Sequence, residues 1–201
     1  MILDTAERLF ADRGVDGIAV RDLAAEMGIT ASSLYNHFAG KQALYDAVLG
    51  RGLGPIVETV AVAWQGGLRP ERVHATLEAL TAHLARHPHL GRLLQRALLE
   101  DSASVQALMG GWVTSLYREG IAVIRSAARD AGWSDAEIPH LAVALFGMIF
   151  AYFTNATALR RLGGWPDDPF SERALGVQRR FLEQAVIRLL GPRPRRVARK
   201  R

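Results

Sequence analysis

Residues 20–41, VRDLAAEMGITASSLYNHFAGK, constrain the fold more tightly than any other stretch of the chain. Val20, Leu23, Ala24 and Met27 recur at helical spacing, which predicts a helix over 20–27 with those side chains inward. Gly28 follows. A backbone turning sharply between two helices needs a positive φ, which glycine adopts at little cost. Thr30 is suited to cap the next helix, over 31–37, with its hydroxyl. Leu34 and Phe38 then face the core, while Ala31, Ser32, Ser33, Asn36 and His37 lie outward. The pattern is that of a helix-turn-helix over 20–38, whose second helix carries a short, hydroxyl-rich face.

The flanking segments are helical too. Over 2–13, Ile2, Leu3, Ala6, Leu9 and Phe10 share one face, with Asp4, Glu7, Arg8 and Asp12 expected largely opposite and Asp4–Arg8 as an i,i+4 pair. Gly14 ends this helix. A fourth helix begins at Lys41 and meets Gly50, Gly52, Gly54 and Pro55. That run predicts one long kinked helix, with two helices broken at 52–55 as the alternative. It is also expected to act as a hinge. Beyond it, helices are predicted over 70–86, from Pro88 to about Glu100, over 103–131, from Ser134 to about Leu162, and from Asp168 or Ser171 to Leu190. No stretch alternates in the manner of a strand. The expected fold is therefore all-α, with about nine helices.

Composition narrows the function classes. With no cysteine, neither a disulfide framework nor a thiolate metal site exists. The N-terminus lacks a basic signal-peptide region, and the longest apolar run, 141–153, is short of the ~20 residues of a membrane span. The expectation is a cytoplasmic protein without a membrane partner. The net charge of +5 invites a nucleic-acid reading, but six of the basic residues lie in the last eleven, GPRPRRVARKR. Residues 1–46 hold seven acids against four bases. DNA contact would therefore depend on the placement of particular groups rather than on bulk charge. No nucleophile–base pair, phosphate loop or paired carboxylates mark an enzyme, so no catalytic residue is assigned and no cofactor is expected. His83 and His87 stand at i,i+4 but lack a carboxylate in register, and Pro88 breaks the helix there. They are expected to cap or solvate a helix end, and no metal site is assigned.

The N-terminal quarter resembles the tetracycline-repressor (TetR) family of transcription regulators. The likeness rests on Leu9-Phe10, Gly14, Val20-Arg21-Asp22-Leu23-Ala24, Gly28-Ile29-Thr30, Leu34-Tyr35-Asn36-His37-Phe38 and Lys41-Gln42-Ala43-Leu44, in register over residues 1–48. Two departures stand out. Ile18-Ala19 replaces the usual Ser or Thr cap of the second helix, and the basic arm that many members carry before the first is not expected here.

The resemblance implies a helix-turn-helix domain over 1–48, a ligand-binding and dimerisation domain over 49–190, and a basic, disordered tail over 191–201. It implies a regulator of transcription, most often a repressor, that binds a palindromic operator in double-stranded DNA as a homodimer and is released by a small hydrophobic effector. The alternative is a helix-turn-helix protein without a small-molecule ligand. Ala31, Ser32 and Ser33 would let the third helix approach the major groove, with Ser32, Ser33 and Asn36 reading bases. Arg21, Thr30, Tyr35, His37 and Lys41 would contact phosphates. The segment 141–159 is apolar almost all round and implies a covering subunit. The expected interface is Phe150, Ala151, Ala158, Leu175, Phe181, Leu182, Val186 and Leu189. The expected effector pocket is lined by Leu77, Leu80, Thr81, Leu84, Leu94, Leu98, Trp112, Leu116, Tyr117, Phe146, Ile149, Tyr152 and Asn155.

Overall fold

The computed structural model describes residues 2–63, 69–99, 103–165 and 167–191, with backbone alone at 103–109, 113, 116, 157 and 159. The basic tail from 192 onward lies outside the described residues. Among these residues there are nine α-helices and no strand. They are α1 (Ile2–Arg13), α2 (Val20–Glu26), α3 (Ala31–His37), α4 (Lys41–Val62), α5 (Pro70–Arg86), α6 (Leu90–Leu99), α7 (Ala103–Asp130), α8 (Ile138–Leu162) and α9 (Glu172–Leu190).

The first three helices and the start of α4 enclose Leu9, Phe10, Leu23, Leu34, Leu44 and Tyr45, all buried. Phe10 and Tyr45 meet edge to face at 5.2 Å. Gly14 and Gly28 sit at φ 75° and 69°, the left-handed conformation each turn requires. The uncapped start of α2 is as expected: Ala19 has the extended φ/ψ of an N-cap residue but no side-chain hydrogen bond to offer. Ala19→Ser is therefore expected to raise unfolding stability by about 1 kcal/mol, read from a urea transition at unchanged slope. At α3 the cap is present, since Thr30 Oγ1 accepts from Ser33 N at 3.1 Å.

Helix α4 is the single long helix of the first alternative, with Pro55 inside it. Its glycines have a packing role that the sequence did not reveal. A Cβ on Gly52 would lie 2.5 Å from Leu90 Cδ1, and one on Gly50 would lie 3.3 Å from the Trp112 ring. Helices α6 and α7 thus approach α4 where side chains are missing. Gly52→Ala is expected to lower stability by about 1–2 kcal/mol despite its better helix propensity, because Leu90 is fully buried and must move.

Helices α5, α7, α8 and α9 enclose a second cluster built on Leu77, Ala128, Leu141, Leu182 and Val186. The first cluster runs without a break from Leu9 through Leu53 to Leu90 and Phe153, so residue 48 falls inside both a helix and a core. Helix α8 starts at Ile138 rather than near Ser134. Ser134 N and Oγ both donate to Glu137 Oε2, the carboxylate half of a capping box. Ile138–Ala156 is long and apolar enough to cross a membrane by length and composition. Leu141, Leu145, Phe150, Phe153 and Ala156 on it are nevertheless buried against the other helices.

Two expectations for α1 fail. Glu7 is buried rather than solvent-facing, and Asp4 pairs with Arg51 at 2.6 Å rather than with Arg8, which reaches Glu26. The reason is tertiary: α4 lies across this face of α1 and brings a guanidinium to it.

Candidate nucleic-acid interface

The residues left on the outer side of the helix-turn-helix decide what it can touch. Ser32, Tyr35, Asn36 and His37 on α3 are exposed, as are Arg21 and Thr30, and Tyr35 exposes 54% of its surface although it is aromatic. Ser33 is half-buried on the same side. Ala31 is also half-buried and packs against the core rather than facing outward. Thr30 commits its oxygen to the cap and keeps its proton as a donor. Arg21 makes no ion pair among the described residues, whereas Arg8 and Arg13 are both held by Glu26. Lys41 differs from expectation. Its Nζ donates to Ile18 O at 3.2 Å, so the ammonium ties the start of α4 to the loop before α2 and has at most two protons left for an anion. The surface offers hydroxyl, amide and imidazole groups with the Arg21 guanidinium, a set suited to hydrogen bonding with base edges and phosphates.

Residues 2–48 match the family model described as bacterial regulatory proteins, tetR family. The match places the N-terminal quarter of the chain with that family. It is 39% identical over 79 residues to the transcriptional repressor KstR2 of Rhodococcus jostii, covering 39% of this chain and 37% of that protein. It is 31% identical over 94 residues to the class D tetracycline repressor of Escherichia coli, covering 45% and 43%. The chain thus spans about two-fifths of the curated relatives it matches. The fold is shared over its whole length with a TetR-family regulatory protein from Rhodococcus RHA1, at TM-score 0.66, 21% identity and 96% coverage of each chain. The described residues are all-helical, and the helix-turn-helix lies in the segment that matches the tetR family model.

Behind the TetR-type domain lies a cavity of about 260 Å³ between α4, α5, α6, α7 and α8. Of the expected lining, Leu77, Leu80, Leu84, Leu94, Leu98, Tyr117, Phe146 and Ile149 border it. Four expected residues do not. Thr81 donates its hydroxyl to Leu77 O within α5. Trp112 lies over Gly50 and donates Nε1 to Asp46 at 3.1 Å, clamping α7 to α4. Tyr152 is buried with its hydroxyl on Pro169 O. Asn155 lies outside the cavity, in a shallower groove. The Leu116 side chain is outside the described residues. The sequence missed Leu53, Ile56 and Val60, which bring α4 itself into the wall. Their i,i+3 and i,i+7 spacing is legible, but not what they face.

The expected dimer face divides in the same way. Phe150, Leu175, Leu182 and Val186 are buried within the subunit, and Leu189 is partly buried against the second cluster. The first four are covered by their own subunit. Ala151, Ala158 and Phe181 are exposed, and Val177 and Leu162 extend the apolar surface around them.

At the junction of α1, α4 and α5, Glu7 Oε2 accepts from Arg51 Nη2 and His87 Nδ1, each at 2.9 Å. Burial would raise the Glu7 carboxyl, but His87 and Arg51 outweigh it and hold the carboxyl below its ordinary range. His83 donates Nε2 to Gly52 O at 2.7 Å and lies against the His87 ring at a tilt of 35°, and burial lowers its pKa. The histidines thus tie α5 to α1 and α4. Arg92 and Arg96 on α6 add a second tie, to the Asp12 carboxylate and the Asp12 carbonyl of α1.

Proposed function

We propose that this protein is a cytoplasmic transcriptional repressor that binds a palindromic operator as a homodimer and is released from it by a small apolar effector. The observation that carries the reading is the double role of α4. Its first turns pack in the helix-turn-helix core through Leu44 and Tyr45, while Leu53, Ile56 and Val60 border the cavity three turns later. An occupant of the cavity would press on the helix that carries the recognition unit. Ser32, Ser33 and Asn36 are assigned to base edges, and Arg21, Thr30, Tyr35 and His37 to phosphates, with Ala31 allowing close approach and Lys41 in an orienting role. The partner subunit is assigned to the apolar surface around Ala151, Ala158 and Phe181. A two-fold dimer of this kind reads half-sites one helical turn or a multiple apart.

The open cavity supports the effector reading over a helix-turn-helix protein without a ligand. Selection of bound DNA from a random pool tests the operator directly, and a two-fold symmetric site is the expected product. Recovery of only asymmetric or unrelated sequences would remove the dimeric repressor reading. Coupling through α4 is tested at Gly54, whose added Cβ would lie 3.9 Å from Trp112, an ordinary contact. Gly54→Ala should keep operator affinity and blunt effector release by stiffening the helix beside Pro55.

A further inference from the structure

The apolar cavity does not end at its own walls. A shallower groove of about 180 Å³ between α6 and α8 shares Leu94, Leu98, Phe146 and Phe150 with it. Phe146 and Phe150 stack at 4.3 Å and form the threshold between the two. The chemistry changes across that threshold. Among the described residues, Thr76 and Tyr117 are the only side chains bordering the deep cavity that carry a polar group. The groove is bordered by Gln95, Thr154 and Asn155.

The polar groups of the groove are already oriented. Thr154 Oγ1 donates its proton to Phe150 O at 3.0 Å, and Asn155 Nδ2 donates to Ala151 O at 2.9 Å. Bonds of this kind fix the amide so that Oδ1 of Asn155 is its free end, and leave Thr154 with lone pairs only. The groove therefore presents acceptors at Thr154 Oγ1 and Asn155 Oδ1, beside the second Nδ2 proton of Asn155 and the Gln95 amide. Among the described residues, neither lining contains Lys, Arg, His, Asp or Glu. A carboxylate drawn in there would gain no counter-ion from these walls, and neither would an ammonium.

We propose that the effector is an uncharged amphipath. Its apolar body fills the deep cavity, and its head, a neutral hydrogen-bonding group such as a hydroxyl or an amide, lies in the α6–α8 groove against Thr154 and Asn155. The assignment rests on reading the cavity as the effector site. Gly147 on the lip of the groove offers an independent handle, since a Cβ there meets nothing within 4 Å.

The test uses the full chain and displacement of the neutral dye Nile red by 1-decanol, decanoate at pH 8, and toluene, with operator affinity measured in parallel. Decanol is expected to displace the dye at concentrations at least about tenfold below decanoate. Thr154→Val with Asn155→Leu should weaken decanol severalfold and leave toluene unchanged, because toluene needs only the deep cavity. Gly147→Leu should do the same with every polar group intact. Decanoate binding as tightly as decanol, or a decanol affinity indifferent to both variants, overturns the head-group assignment alone. Failure of all three probes to displace the dye overturns this proposal and the effector reading together. Selective decanol binding that leaves operator affinity unchanged supports the head-group assignment and removes the effector reading.

Discussion

Ser32→Glu is expected to lower operator affinity by at least ~100-fold while leaving the fold intact. A carboxylate on the exposed face of α3 would face the negative charge of DNA, and like charges brought together across an interface cost several kcal/mol, or two or more decades in Kd. Surface substitutions away from caps and cores change stability by about 0.5 kcal/mol or less, and Ser32 is neither the cap, which is Thr30, nor core. Equilibrium binding to the selected operator, paired with a urea melt of the same preparation, separates the two effects. Wild-type affinity in a normally folded Ser32→Glu variant would mean that α3 does not enter the groove.

Glu7→Ala is expected to cost about 3 kcal/mol of unfolding stability, the largest effect anticipated for a single side chain outside the apolar core. Removing one partner of a buried charge pair leaves the other without compensation. Arg51 is poorly placed to absorb that loss. Its Nε already has no hydrogen-bond partner among the described residues, and Asp4, its other partner, is mostly exposed. Glu7→Gln keeps the shape and is expected to cost less. The pH dependence has a definite sign. The Glu7 carboxyl is held low in the folded protein, so its contribution is complete above the unfolded value of about 4.3 and is lost as pH falls through the lower folded value. His83, also lowered, contributes above about 6.5 and loses that contribution below it. Both push toward acid lability of the α1–α4–α5 junction. Thermal unfolding from pH 7 down to pH 3 should show Tm falling, with a shallower fall in Glu7→Gln. A Tm that rises on acidification would contradict the assignment.

Much of the recognition unit is legible in the sequence, because its signals are local. Helix period, the glycine at φ 69° and the Thr30 cap each involve residues a few positions apart. The bounds of α1 and α3 and the missing cap at Ala19 follow from them. Glu7 shows where local reasoning stops. Leu3, Phe10 and Ala11 lie four, three and four residues away on the same stripe, so its burial could be read from the period, but its charge argues for solvent. Only the arrival of Arg51 and His87, 44 and 80 residues along the chain, makes that burial tolerable. The expected dimer face divided for a related reason. Hydrophobic period shows that Phe150, Leu175, Leu182 and Val186 are buried, but not whether their own subunit or a second one buries them.

By itself the sequence determined the helical class, the helix-turn-helix and its exposed polar face, since capping, turn geometry and period are properties of neighbouring residues. Tertiary structure alone decided the rest. It turned the Gly50–Gly54 run into the crossing point of α4 with α6 and α7. It engaged Lys41 and buried Glu7. It also brought α4 into the wall of a cavity whose other walls lie as far along the chain as Val186. Those outcomes depend on contacts between elements distant in sequence, and such contacts are set by which surfaces fit together, which no local pattern encodes.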